Sequence, residues 1–126
     1  MLSLHKPYEA YRQASFDARL LGSSREELVV FCLEDFIDNL GQLELADNRL
    51  DHAARSKAIT RCVTALTALE LGIDRTAEMG ATLAQFYGSA KNTLMNCIRQ
   101  TDTNSVATMK ADFSDIAKVF RETASR

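Results

Sequence analysis

Four segments of the chain place apolar residues three or four positions apart, the spacing that lines one face of an α-helix. The first two segments carry Leu28, Phe31, Cys32, Phe36, Ile37, Leu40 and Leu43, and then Ala54, Ala58, Ile59, Cys62, Leu66 and Leu69. The last two carry Leu83, Phe86, Tyr87, Ala90, Leu94, Cys97 and Ile98, and then Val106, Met109, Phe113, Ile116, Ala117 and Phe120. Alternating apolar and polar runs of the strand type are absent from the sequence. The pattern therefore predicts four helices and no sheet.

Capping residues indicate where the first helix begins. Ser23 and Ser24 each have a glutamate three positions later, Glu26 and Glu27. A serine followed by glutamate at this distance forms a capping box, which satisfies backbone N–H groups at a helix start. We expect the helix to run from here to residues 47–48.

The other helix ends are marked less strongly. Asp51 is a suitable N-cap for the second helix, and Gly72 is expected to end that helix in a left-handed conformation. The third helix is predicted to start near Thr76, and the fourth between residues 103 and 105. All loops are then only a few residues long.

Four amphipathic helices with short loops pack most simply as an antiparallel bundle. The chain has 126 residues, which is the size of one domain. Residues 1–22 lie outside the four-helix pattern and carry Tyr8 and Tyr11 three positions apart. We predict a single all-α domain over residues 1–126, with a short N-terminal helix or arm at 1–22 and a four-helix bundle at 23–122.

Charge and hydropathy exclude two classes of partner. The formal net charge is -2, and the basic residues are scattered, so no basic stripe is available to neutralise nucleic-acid phosphates. The longest uncharged apolar run, residues 28–33, is far too short for membrane insertion. The first residues lack the pattern of a secretory signal. We therefore expect a cytoplasmic protein.

Residues that would carry out chemistry are sparse. The three cysteines, Cys32, Cys62 and Cys97, are far apart and lie on apolar stripes, so we interpret them as core residues. The two histidines are His5 and His52, and neither follows a glutamate by three positions as in a di-iron bundle. No phosphate loop, dinucleotide fingerprint or nucleophile elbow is present. The sequence predicts no catalytic site, metal or cofactor, and hence no enzyme.

Two polar features permit more than one interpretation. Glu34, Asp35 and Asp38 form the densest acidic group, interpreted as a solvated helix face or, alternatively, as a polar rim that positions a partner. His52 is followed by Arg55 at +3, a pattern that faintly resembles histidine phosphotransfer domains. That family has glycine at +4 and its histidine in mid-helix, whereas His52 is expected near a helix start.

The order of the motifs along the chain resembles the FliS family of flagellin export chaperones. The features that carry the resemblance are Tyr8-x-x-Tyr11, the stretch Leu28-Val29-Val30-Phe31-Cys32-Leu33-Glu34-Asp35-Phe36-Ile37, the stretch Glu78-Met79-Gly80-Ala81-Thr82-Leu83-Ala84-Gln85-Phe86-Tyr87, and Leu94 with Cys97. The resemblance extends from about residue 8 to about residue 120. It implies a cytoplasmic chaperone that binds the disordered C-terminal segment of flagellin, prevents premature polymerisation and passes the subunit to the export apparatus without a nucleotide.

The resemblance also implies which residues contact the client. Tyr8 and Tyr11 would form a plug in the client groove when no client is bound. We expect the groove along the second to fourth helices. The candidates are residue types that more often form plain core: Ile59, Leu66, Leu83, Phe86, Tyr87 and Leu94. An arm of this kind also permits a homodimer through exchange between copies. The alternative functions are another helical-bundle adaptor or secretion regulator, and a phosphotransfer module using His52.

Overall fold

The computed structural model describes residues 24–124, which form four α-helices and no strand. The helices are α1 (Arg25–Asn48), α2 (His52–Leu71), α3 (Gly80–Asn96) and α4 (Thr103–Ala124). The prediction of an all-helical fold with four main helices is confirmed for this part of the chain. The predicted arm, residues 1–22, lies outside the described residues.

Side-chain caps begin α1 and α2 where the sequence predicts them. The Ser24 hydroxyl accepts the N–H of Glu27 at 3.2 Å, and the Glu27 carboxylate accepts the N–H of Ser24 at 3.3 Å. This reciprocal pair is the predicted capping box. The Asp51 carboxylate accepts the N–H of Ala54 at 3.0 Å at the start of α2. Both helix starts are thus determined by residues within one turn.

Among residues 24–124, the residue in the left-handed region is Leu50, which follows α1 and has φ 54°. The Leu50 N–H donates to the Asp47 carbonyl at 3.1 Å and the Asp51 N–H to the Ala46 carbonyl at 2.9 Å, the two bonds of a Schellman motif. Gly72 instead has φ -84° and is right-handed. The prediction of a left-handed Gly72 was wrong, because its N–H continues the helical bonding to carbonyls of α2.

Helix α3 begins at Gly80 and not near Thr76. The Asp74 carboxylate accepts the Thr76 N–H at 3.0 Å and the Thr76 hydroxyl at 2.6 Å, a local turn that competes with helix formation. A Cβ on Gly80 would lie 2.5 Å from the Asp74 carbonyl oxygen, so the loop backbone crosses directly over this glycine. The loop before α3 is therefore longer than the sequence pattern predicts.

The helices are packed around one apolar core. Close backbone approach joins α1 to α2, α1 to α4 and α2 to α3. The buried core residues are Leu33, Phe36, Leu40, Leu43, Ala58, Ile59, Cys62, Ala65, Leu66, Leu69, Tyr87, Ala90, Leu94, Cys97, Val106, Met109, Phe113 and Ala117. Most of them belong to the predicted stripes, which confirms the helical faces that the sequence assigns to the core.

Ion pairs cross the closely packed helix pairs. The pairs are Glu44–Lys110 at 2.6 Å and Glu34–Arg121 at 3.2 Å between α1 and α4, and Glu70–Lys91 at 2.8 Å between α2 and α3. All six side chains keep part of their surface in solvent, so each pair stabilises the fold only weakly. Their positions show that residues early in α1 lie beside residues late in α4.

Arg55 joins α2 to the loop that connects α3 and α4. Its Nε donates to the Thr101 hydroxyl at 2.7 Å, and its guanidinium donates to the carbonyl oxygens of Ile98, at 3.3 Å, and Cys97. These carbonyls directly follow α3, at a helix end where backbone acceptors lack partners within the helix. The guanidinium therefore caps α3 from a neighbouring helix.

Along the described residues, no helix is long and apolar enough to cross a membrane.

A candidate partner-binding furrow between α3 and α4

An open furrow separates α3 from α4. These two helices are not among the pairs whose backbones approach closely, and a furrow of about 320 Å³ lies between them. Its lining residues are Phe86, Ser89, Ala90, Thr93, Asn104, Ser105, Thr108, Met109, Asp112 and Phe113. Every one of them belongs to α3 or α4, so the furrow follows the seam between the two helices.

The floor of the furrow is apolar and continuous with the core. Ala90, Met109 and Phe113 are buried, and Phe86 is half-buried. The Phe113 ring lies 4.7 Å from the Phe86 ring and 4.3 Å from the Phe36 ring of α1, centroid to centroid. Large rings therefore bridge the space between the α3 and α4 backbones. Aromatic pairs prefer tilted or offset arrangements of this kind. Phe86 is the floor residue with the most surface left for a partner.

The rim of the furrow is polar and nearly uncharged. Ser89 and Thr93 lie on the α3 side, and Ser105, Thr108 and Asp112 lie on the α4 side. Some of these groups are already bonded within their own helix. The Thr93 hydroxyl donates to the Ser89 carbonyl at 3.2 Å, for example. An apolar floor with a hydroxyl-rich rim is the arrangement expected for a surface that holds an amphipathic protein segment.

Apolar surface continues beyond the furrow toward the start of α3 and the end of α4. Leu83 precedes Phe86 by three positions, while Ile116 and Phe120 follow Phe113 at helical spacing, and all three are partly buried against the core. Val119 is 62% exposed. A partner that follows the seam could therefore bury more apolar surface than the furrow alone offers.

The structure divides the residues predicted to bind a partner into three groups. Ile59, Leu66, Tyr87 and Leu94 are buried in the core. Leu83 and Phe86 are half-buried, and only Phe86 lines the furrow. Tyr8 and Tyr11 lie outside the described residues. A binding role for each of the eight stays a prediction. For the four core residues, contact with a partner would require the helices to separate.

Sequence reasoning named no residue of α4 as a contact, although Met109 and Phe113 form half of the furrow floor. Both were visible as members of the fourth apolar stripe. Periodicity shows that such residues are buried, but it does not show which neighbouring helix covers them. The missing information was the gap between α3 and α4.

The buried Cys62 thiol and the Tyr87 hydroxyl stay protonated at neutral pH. Burial raises the pKa of the Cys62 thiol to about 12, with a further contribution from Cys97. Burial also raises the pKa of Tyr87 to about 12, with a smaller contribution from Cys32. Thiols that stay protonated at neutral pH are poor nucleophiles and poor metal ligands. Among the described residues no group of histidine, cysteine, aspartate and glutamate could hold a metal ion.

The structure also describes the surroundings of His52 and of the acidic group on α1, the two polar features for which the sequence permits more than one interpretation. His52 is exposed and is the first residue of α2, in agreement with its expected place near a helix start. Glu34 of the acidic group forms the ion pair with Arg121 of α4. At least this member of the group therefore has a role in helix packing.

Comparison with known families decides the classification. The family model described as "Flagellar protein FliS" matches residues 6–126. The chain belongs to the FliS family. A search of the curated proteins found no match. FliS proteins are flagellar export chaperones, so the resemblance noted from the motifs is confirmed, and the match covers all four helices together with most of the preceding segment.

For a FliS protein, the furrow is the feature of the described residues best suited to a chaperone. A chaperone has to hold apolar client surface that would otherwise associate wrongly. The α3–α4 seam provides apolar floor and polar rim in one continuous surface. The chemistry that this arrangement supports is reversible protein binding.

Proposed function

We propose that this FliS protein is a cytoplasmic chaperone that binds the disordered C-terminal segment of flagellin along the α3–α4 furrow. It thereby prevents premature polymerisation of flagellin and delivers the subunit to the export apparatus. It acts by binding, without catalysis and without a cofactor. The observation that carries this proposal is the open apolar seam in a chain whose family consists of flagellar export chaperones.

Energetics favour a long, partly apolar binding surface. A disordered segment loses conformational entropy when it orders on a partner, at a cost of about 2–5 kcal/mol or more. Apolar burial contributes roughly 25 cal/mol per Å², so about 200 Å² is needed to offset the upper figure. A client that folds as an amphipathic helix along the seam would bury its apolar face on Phe86, Met109 and the neighbouring half-buried side chains. The furrow and its apolar continuation are suited to that contact.

Under this proposal the candidate residues have two different roles. Leu83 and Phe86 contact the client directly, because they are half-buried at the seam. The four core candidates are buried in the common core and contribute to the stability of the helix packing. They are Ile59, Leu66, Tyr87 and Leu94.

The proposal includes an antiparallel bundle and an N-terminal arm. The antiparallel arrangement is supported by the ion pairs, since Glu34 lies beside Arg121 and Glu44 beside Lys110. In the arm, Tyr8 and Tyr11 would cover the apolar seam until a client replaces them. Arm exchange between two copies would give a homodimer.

Calorimetric titration of the full chain with a flagellin C-terminal peptide tests the proposal. We expect a dissociation constant of about 1 μM or tighter, equivalent to about -8 kcal/mol. Titration at three temperatures should give a negative heat-capacity change, because apolar surface is buried. A scrambled peptide of the same composition is the control. Absence of heat at all three temperatures with concentrated protein would overturn the proposal.

A further inference from the structure

Of the described residues that line the furrow, one is charged, and it is Asp112 of α4. The other lining residues are apolar, hydroxyl-bearing or amide-bearing. A lone carboxylate beside an apolar floor loses hydration when a partner covers the furrow. Its charge then has to be compensated by something that the partner brings.

The cations of the flanking helices are directed away from the furrow. Lys91, the only basic residue of α3, pairs with Glu70 of α2 at 2.8 Å. On α4, Lys110 pairs with Glu44 of α1 at 2.6 Å. Arg121 pairs with Glu34 of α1 at 3.2 Å. Each of these three pairs joins its helix to a helix other than the one across the seam. Lys118, the remaining basic residue of α4, does not line the furrow.

Asp112 also lacks a partner along its own helix. Side chains three and four positions apart are neighbours on a helix surface, and for Asp112 these are Thr108, Met109, Asp115 and Ile116. None of the four is basic, and Asp115 carries the same charge. Within residues 24–124 no hydrogen bond or ion pair to the Asp112 carboxylate is present.

We propose that Asp112 determines the register of the bound client by pairing with one lysine or arginine of the client segment. This inference rests on the proposed function. The segment that fits has apolar residues one helical turn apart for the floor, small or hydroxyl-bearing residues toward the rim, and one cation opposite Asp112. An acidic residue at that client position would be rejected, because two carboxylates would share a site of low hydration.

Register needs a directional contact because apolar contact is not directional. A client helix displaced by one turn along the seam would still bury leucine-like side chains on the floor. Only the Asp112 pair distinguishes the correct register from a displaced one. Charged pairs of this kind contribute chiefly to specificity, by disfavouring the wrong arrangement.

The test compares the affinities of Asp112 and Asp115 variants of the full chain for the flagellin C-terminal segment. We expect D112N to weaken binding about tenfold and D112K to weaken it further, since a desolvated pair is lost or reversed. D115N and D115K are matched controls, because Asp115 is an exposed aspartate on the same helix that does not line the furrow. They should change the affinity less than about twofold. Thermal unfolding of each variant verifies that the fold is intact.

A charge exchange identifies the client's side of the pair. Each lysine and arginine of the client segment is replaced in turn by glutamate. One replacement should abolish binding to the natural chain and restore binding to D112K, with a coupling that a double-mutant cycle measures. If D112N and D115N bind equally well, the inference is wrong while the proposed function stands. If the unaltered chain does not bind the segment at all, both are wrong.

Discussion

The ring of Phe86 on α3 lies 4.7 Å from the ring of Phe113 on α4, centroid to centroid. The contact joins two helices whose backbones are not closely packed. Phe113 is fully buried, whereas Phe86 retains surface at the furrow. One member of this aromatic pair therefore belongs to the core and the other to the candidate binding surface, so the two rings should respond differently to truncation.

Replacing Phe86 by alanine should separate binding from stability. We expect the variant to lose client affinity by about tenfold or more, because aromatic anchors at the centre of an interface contribute most of its energy. Its free energy of unfolding should fall by only about 1–2 kcal/mol, since the side chain is half-buried. Phe113→Ala should instead lose about 3–5 kcal/mol of stability. Urea unfolding and calorimetric titration measure both quantities, and unchanged affinity in the Phe86 variant would contradict the furrow as the binding site.

Leu50→Gly is expected to stabilise the protein by about 1 kcal/mol. A leucine in the left-handed region is strained by contact between its Cβ and the backbone, and glycine removes that contact. Little burial is lost, because Leu50 is 77% exposed. The matched control is Gly72→Ala, where φ is -84° and the added Cβ makes only ordinary contacts. Thermal melts compare the variants, and a lower melting temperature for Leu50→Gly would refute this account of the turn.

Gly80→Ala should destabilise the chain by about 1–3 kcal/mol, the usual effect of overpacking. The new Cβ would lie 2.5 Å from the Asp74 carbonyl oxygen, a backbone atom that cannot move without displacing the loop. Gly41 and Gly88 have nothing within 4 Å of an added Cβ. Alanine there should stabilise the helices by about 0.5–1 kcal/mol. Equal effects at all three glycines in chemical denaturation would count against a special role for Gly80.

Acid should weaken the start of α4 through Asp102. The hydrogen bonds from the Ser105 side chain and backbone hold the pKa of this carboxyl below its usual range. A carboxyl with a lowered folded pKa stabilises the fold above the unfolded value of about 3.9, and that stabilisation is lost as the pH falls through the folded value. Asp102→Asn and Ser105→Ala should each reduce the decline in melting temperature below pH 4. A decline identical to that of the unaltered chain would exclude this cap as a source of acid sensitivity.

Local interactions were predictable from the sequence, and interactions between helices were much less so. The caps at Ser24 and Asp51 depend on residues three positions away, so the sequence contains all the information required. The late start of α3 depends on the loop backbone that passes over Gly80. That approach arises from the packing of the loop and leaves no periodic signal in the sequence.

The sequence pattern also does not show which apolar residues lie at the candidate binding surface. Phe86 and Tyr87 are adjacent in the third stripe and equally apolar by pattern, yet Tyr87 is buried and Phe86 reaches the furrow. One step along a helix rotates the side chain by about 100°. Which of the two residues faces a gap depends on how far α4 lies from α3. The family resemblance implied a client groove, and the structure has an open furrow at the α3–α4 seam.

The position of the bound client tests the central claim most directly. A nitroxide spin label on the flagellin C-terminal segment broadens the amide resonances of nearby residues in the isotope-labelled full chain. We predict broadening at Ser89, Thr93 and Thr108 along the furrow, and unaffected resonances at Gln42 of α1 and Thr60 of α2. Broadening centred on α1 and α2, with the furrow resonances unchanged, would contradict the account.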